Sequence, residues 1–132
     1  MDSFILNEIF LVKPEMVYSA WMDSESHSKM TGDGKAIIES KVNGKFTVWN
    51  NYIFGTNIEL VPGKKIVQKW RTTEFPEDAP DSILEITLEE FENGTKFTLF
   101  HKDIPTGQGN DYKKGWIEYY FEPMKKYFEG VK

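Results

Sequence analysis

The residues of this chain that could do chemistry are few. His101 lies in the run Thr95–Asp103, where it alternates onto the same face as Phe97 and Leu99. A lone inward histidine can act as a general base or as a hydrogen-bond partner for a ligand. The sequence sets no nucleophile beside it, so a hydrogen-bonded structural histidine is the competing reading. Glu8 shares a strand face with Phe4, Leu6, Phe10 and Val12. An inward carboxylate needs a partner, and one in such a place can acquire a raised pKa and a role. The ordinary solution is an ion pair or contact with water. Trp70 alternates with Ile66 and Gln68, which turns it toward the interior and Arg71 to the other side. An indole there offers stacking area and one N–H donor. The same holds for Trp49, Trp116 and the phenol of Tyr120. Trp49, Trp70, Leu84, His101, Trp116 and Tyr120 are therefore the candidate lining of a binding cavity, with core packing as the alternative use of each. No catalytic residue is assigned.

Other motifs point to less. Glu74, Glu77, Asp78 and Asp81 surround a Pro-containing loop, but their spacing matches no calcium-binding loop, and a solvated loop is expected. The pairs Lys64-Lys65 and Lys113-Lys114 are not interleaved with aromatics as a nucleic-acid surface would be. Gly32-x-Gly34 follows a helical pattern rather than a strand, so it reads as a turn and not a phosphate cradle. Gly107-Gln108-Gly109-Asn110 reads as a connection, or as a flexible gate beside a cavity mouth.

Composition narrows the classes further. The chain has 132 residues, no cysteine and 2 histidines, which leaves no disulfide, thiolate zinc site or cysteine nucleophile. No metal and no cofactor are expected. Its 16 Lys and Arg against 21 Asp and Glu give a net charge of −5, unfavourable for phosphate neutralisation, so no nucleic-acid partner is expected. Its 4 Trp, 6 Tyr and 10 Phe make up 15% of the chain. The start Met1-Asp2-Ser3-Phe4 has no basic n-region and no apolar h-region, and no apolar run approaches a membrane span. A cytoplasmic, single-domain protein (residues 1–132) with no membrane span is the expectation.

These side chains must be positioned by elements that the patterning marks out. Phe4–Val12 suits a strand. Pro14 suits the first turn of a short helix through Met16, Val17, Ala20 and Trp21. Asp23 or Ser24 suits the cap of a second helix over Glu25–Met30. Strand-like runs follow at 36–40, 45–49, 52–60, 65–71, 83–91 and 95–103, separated by Asn43-Gly44, Asn50-Asn51, Pro62-Gly63 and Asn93-Gly94. The apolar period then changes: Trp116, Ile117, Tyr120, Met124, Tyr127, Phe128 and Val131 form one helical stripe. A helix over about 112–130 is expected, bent at Pro123. The order is an α+β pattern in which a curved antiparallel sheet must be covered by that one long helix. A space between the two would be walled by aromatic rings.

Several stretches carry a family resemblance. They are Phe10-Leu11-Val12-Lys13-Pro14-Glu15-Met16-Val17-Tyr18-Ser19-Ala20, Asn43-Gly44-Lys45-Phe46, Gly55-Thr56-Asn57-Ile58-Glu59-Leu60-Val61-Pro62, Lys69-Trp70-Arg71, Asp103-Ile104-Pro105, and above all Gly115-Trp116-Ile117-Glu118-Tyr119-Tyr120-Phe121-Glu122-Pro123-Met124. In order and along nearly the whole chain, these resemble the C-terminal domain of the activator of heat shock protein 90 ATPase and its bacterial single-domain relatives. Asn43 stands where that family has Gly. The resemblance implies the helix-grip fold of the START-like (SRPBCC) superfamily, shared with the birch-pollen allergen and polyketide cyclases. The separate N-terminal domain of the eukaryotic co-chaperone has no expected counterpart here. Three functions follow as expectations: non-enzymatic binding of a small apolar ligand between sheet and helix; a chaperone-associated interaction module; and a polyketide-cyclase-like enzyme using His101 or Glu8.

Overall fold

Alternating burial along the strands builds one apolar inner face, and everything else in the fold serves to cover it. The structure is a computed structural model describing residues 1–130; Val131, expected at the end of the helical stripe, lies outside them. The chain runs through β1 (Asp2–Phe10), α1 (Pro14–Met22), α2 (Ser24–Met30), β2 (Ile37–Ile38), β3 (Lys45–Val48), β4 (Ile53–Val61), β5 (Lys65–Thr72), β6 (Ser82–Phe91) and β7 (Gly94–Ile104). It ends in α3 (Gly109–Gly115), a π-helical turn (Trp116–Phe121) and α4 (Glu122–Glu129). The seven strands form one antiparallel sheet in the order β1-β7-β6-β5-β4-β3-β2. β2–β7 are therefore a simple meander, and β1 closes it by pairing with the last strand.

On β1 the inward set Phe4, Leu6, Glu8 and Phe10 alternates with exposed Ser3, Ile5, Asn7 and Ile9. Phe97, Leu99 and His101 of β7 and Leu84, Ile86 and Leu88 of β6 continue that face and are buried. The terminal helix lies across it: Phe10 meets Phe121 and Phe128 edge-on at centroid separations of 6.3 and 5.5 Å. Glu8, inside this face, is answered by Lys125 of α4 at 2.9 Å. This is the ion-paired outcome.

Asn57 and Gln68 form a buried amide pair on the inner face. Gln68 Nε2 donates to Asn57 Oδ1 at 2.9 Å, and Asn57 Nδ2 donates to the Glu39 carbonyl at 2.8 Å. Buried amides cost free energy unless bonded; here they tie the 39–44 loop to β4 at a register shift between Asn57 and Glu59.

Several local expectations are corrected. Asn43-Gly44 does not close a two-residue hairpin, since residues 39–44 separate β2 from β3. Asn43 takes the positive φ of 67°. Between β6 and β7 the loop is Glu92-Asn93, with Glu92 at φ 55°, and Gly94 is already in β7 opposite Phe91. Gly94 is needed for space, because a Cβ there would collide with the Phe10 carbonyl. The disturbance at Pro123 takes the form of the π turn. In a regular helix the ring of Pro123 would press on the Tyr119 carbonyl. The wider turn relieves this, with the Glu122 N–H bonding to the Ile117 carbonyl. The extra residue in that turn shifts the helix phase. Phe121 is consequently buried, whereas Ile117 is 41% exposed and leaves the expected stripe.

Candidate functional site

The sheet and helix do not meet everywhere. Between the β3–β4 turn, the end of β5 and the first turns of the terminal helix lies a cavity of about 520 Å³. That is within the range of small-molecule sites. Trp49, Trp70, Trp116 and Tyr120 line it, which brings together four of the six candidates. Leu84 and His101 stand apart from the wall: both are fully buried in the core behind it. The wall is completed by Tyr52, Ile53, Tyr112, Gly115 and Tyr119, and by the polar side chains of Glu74, Gln108 and Asp111. Tyr112, Gly115, Trp116, Tyr119 and Tyr120 fall three to four residues apart along the helix, a spacing visible in the sequence. Tyr52, Glu74 and Gln108 come from turns, where no periodicity marks them.

A second layer of rings backs the floor. Trp21 stacks on Tyr120 at 5.0 Å and on Trp116 at 6.0 Å. Trp70 stands edge-on to His101 at 4.6 Å. His101 itself is held in one tautomer by its partners. Trp116 Nε1–H donates to His101 Nδ1 at 3.1 Å. Nε2 must then carry the proton, which it gives to Ser82 Oγ at 2.8 Å, and the Ser82 hydroxyl donates to the Trp70 carbonyl at 2.6 Å. Burial pushes the His101 pKa down to about 3, so the imidazole is neutral.

His27, the other histidine, is organised in the same way. It is 2% exposed, and its Nδ1–H meets the Trp21 carbonyl at 2.9 Å. Nε2 is then the acceptor for the Tyr120 hydroxyl, also at 2.9 Å. Burial lowers its pKa to about 4, opposed by the bond to the Trp21 carbonyl. Burial also raises the Tyr120 phenol, with a hydrogen bond from Trp49 opposing it. The sequence alone gave His27 no role beyond its place in a short helix.

At the mouth a closed ring of hydrogen bonds joins the end of β5 to the helix start. The Glu74 N–H donates to Thr72 Oγ1 at 3.1 Å. Thr72 and Tyr112 hydroxyls are 2.7 Å apart. The Tyr112 hydroxyl donates to Gln108 Oε1 at 2.7 Å, and Gln108 Nε2 donates back to the Glu74 carbonyl at 3.1 Å. Tyr52 donates a short hydrogen bond to the Glu74 carboxylate, and burial followed by this bond raises its pKa. The connection before the helix is anchored too: the N–H groups of Gly107 and Gly109 both donate to Asp2 Oδ2 at 2.9 Å. Asp81, the remaining acid of the loop that touches another side chain, holds Arg71 at 2.9 Å on the outer side.

A general base must reach the proton it abstracts, and His101 is sealed behind Trp70 and Trp116. No helix of the described residues is long and apolar enough to cross a membrane.

Residues 11–129 match the family described as Activator of Hsp90 ATPase homolog 1-like protein. The human protein Activator of 90 kDa heat shock protein ATPase homolog 1 is 32% identical over 123 residues, 93% of this chain and 36% of that protein. The chain thus spans about a third of the curated relatives it matches. A solved HSP90 activator from Plasmodium falciparum superposes with a TM-score of 0.88 at 27% identity, covering 96% of each chain. The crystal structure of Ara h 8.0201 superposes with a TM-score of 0.76 over 98% of each chain at 14% identity, a likeness of fold alone.

Proposed function

The chain belongs to the Activator of Hsp90 ATPase homolog 1-like protein family, and from that premise we propose that it is a non-enzymatic helix-grip domain whose cavity binds a small, largely apolar ligand. The observation that carries this is the cavity of about 520 Å³ walled by Trp49, Trp70, Trp116, Tyr119 and Tyr120. Rings held by a backing layer offer pre-organised stacking surface, which lowers the ordering cost of binding. Native mass spectrometry of the purified protein across a panel of lipids and aromatic metabolites, with indole fluorescence as a second readout, tests the reading. Adducts that quench the indoles are expected. An unoccupied protein with unchanged fluorescence across the panel would overturn it.

A chaperone-associated role is the second reading, favoured by the relatives named as activators of the 90 kDa heat shock protein ATPase. Ile5 and Ile9, exposed on the outward face of edge strand β1, supply apolar surface for a contact. ATPase assays with the cognate chaperone test it; lack of stimulation at saturating protein would remove it. A cyclase-like enzyme has less support, since neither His101 nor Glu8 reaches the cavity wall.

A further inference from the structure

We propose that the cavity selects an organic cation: a ligand with an apolar, preferably aromatic body and an ammonium-type head. This rests on the ligand-binding reading above and names the class of ligand. The lining carries two carboxylates, Glu74 and Asp111, and no Lys, Arg or His. Both carboxylates sit on the exposed rim, and Glu74 spends only Oε2, on the Tyr52 hydroxyl. Neither has an ion-pair partner among the described residues. The cationic residue nearest in sequence to Glu74, Arg71, is committed to Asp81 and to the carbonyls of Ala79 and Pro76.

Behind the rim stand the rings of Trp49, Trp70, Trp116, Tyr119 and Tyr120, and the quadrupole of a ring face attracts a cation placed within about 6 Å of its centroid. Carboxylates at the mouth and aromatic rings on the walls act in the same direction, and no group of the wall carries a positive charge. The one feature that would favour an anion is the start of the terminal helix. An acidic side chain of the chain already sits there, since Asp2 Oδ2 accepts from Gly109 at the helix start and from Gly107 just before it. A fatty acid or other carboxylate ligand therefore meets repulsion at the rim, whereas an amine or quaternary ammonium is drawn in.

The test uses three soluble probes that share a benzyl ring and differ in head group: benzyltrimethylammonium, benzyl methyl sulfone and phenylmethanesulfonate. Each is titrated into ¹⁵N-labelled protein while the indole N–H resonances are followed. Trp49, Trp70 and Trp116 report on the wall; Trp21, in the backing layer, is the internal reference. The cation is expected to bind roughly tenfold tighter than the neutral sulfone, the rim carboxylates and the rings each supplying part of it, and the sulfonate weakest. In the double variant Glu74→Gln, Asp111→Asn the sulfone affinity should stay the same while the advantage of the cation falls at least about threefold, the remainder coming from the rings. A sulfonate that binds as well as the cation, or a cation advantage unchanged in the double variant, overturns the inference while leaving a ligand-binding cavity in place. Indole resonances that stay still with all three probes would instead defeat the cavity reading itself, and this inference with it.

Discussion

The Tyr120 hydroxyl lies 2.9 Å from His27 Nε2, joining the π turn to a helix 93 residues earlier in the chain. Both groups are buried, and the His27 proton is committed to the Trp21 carbonyl on the other side of the ring. Tyr120→Phe keeps the wall of the cavity but strands a buried acceptor. The expected loss is about 1–3 kcal/mol of unfolding free energy, read from the urea midpoint at pH 7. The companion His27→Phe, combined with Tyr120→Phe, should cost less than the two single losses added together, because the pair no longer leaves one partner unmet. Additive losses would show that this bond does not couple the two helices.

Both histidines make stability depend on pH. In the folded state their pKa values are lowered to about 4 and about 3, against an ordinary 6.5. Between those limits the unfolded chain binds more protons than the folded one, so stability rises with pH and is lost as pH falls below about 6.5. With two such groups the slope near pH 5 is about 3 kcal/mol per pH unit. Urea midpoints measured between pH 7 and 4.5 should fall steeply, and His101→Asn should flatten the slope by about half whatever it does to stability at pH 7. A flat profile across this window would contradict the burial of both rings.

Much of this architecture was legible in the sequence because period-two burial leaves a strong mark. Phe97, Leu99 and His101, or Ile66, Gln68 and Trp70, could be assigned to the inner face from alternation alone, and the six runs from 36 to 103 each became a strand. The cavity was legible mostly where regular elements build it. Trp70, Trp116 and Tyr120 sit on a strand and a helix, so their facing follows from phase. Glu74 and Gln108 come from loops whose path is set by a ring of side-chain hydrogen bonds closed only in three dimensions. The phase of the helix itself departs from a fixed 100° step at Ile117 and Phe121, because one residue accommodated in a π turn is invisible to such a step.

Trp49 shows a local rule broken at the site. It follows β3 in a left-handed turn, with φ of 54°, 56° and 72° at Trp49, Asn50 and Asn51. Asparagine visits this region readily; a bulky side chain there costs about 1–2 kcal/mol. Its ring packs over Gly34, where a Cβ would stand 2.9 Å from it, and against Tyr119 and Tyr120 at 6.0 Å. Strain held at a cavity rim suggests a use there. Trp49→Gly releases the strain and removes a wall. The expected outcome is a change in unfolding free energy below about 1 kcal/mol, with affinity for the benzyl probes reduced about fivefold or more, as loss of a stacking ring implies. A large stability loss with unchanged affinity would make Trp49 a packing residue only.

Trp116 ties the wall of the cavity to the ionisation of the core. Its Nε1–H points at His101 Nδ1, so an added proton on that nitrogen would set donor against donor. Trp116→Phe keeps an aromatic wall and deletes only that N–H. Two consequences follow from the same lost bond. The neutral imidazole is left with an unmet acceptor, worth about 1–3 kcal/mol at pH 7. Protonation also becomes less unfavourable, so the His101 pKa moves up from about 3 toward its ordinary 6.5. The second consequence separates this bond from simple packing. A cavity left by the smaller ring would destabilise the protein equally at all pH values, whereas loss of the N–H donor makes the penalty shrink as pH falls. Following the His101 ring proton by NMR from pH 7 to 4.5, in the wild type and in Trp116→Phe, decides it: a midpoint that enters this range only in the variant is expected, and identical titrations would sink the assignment.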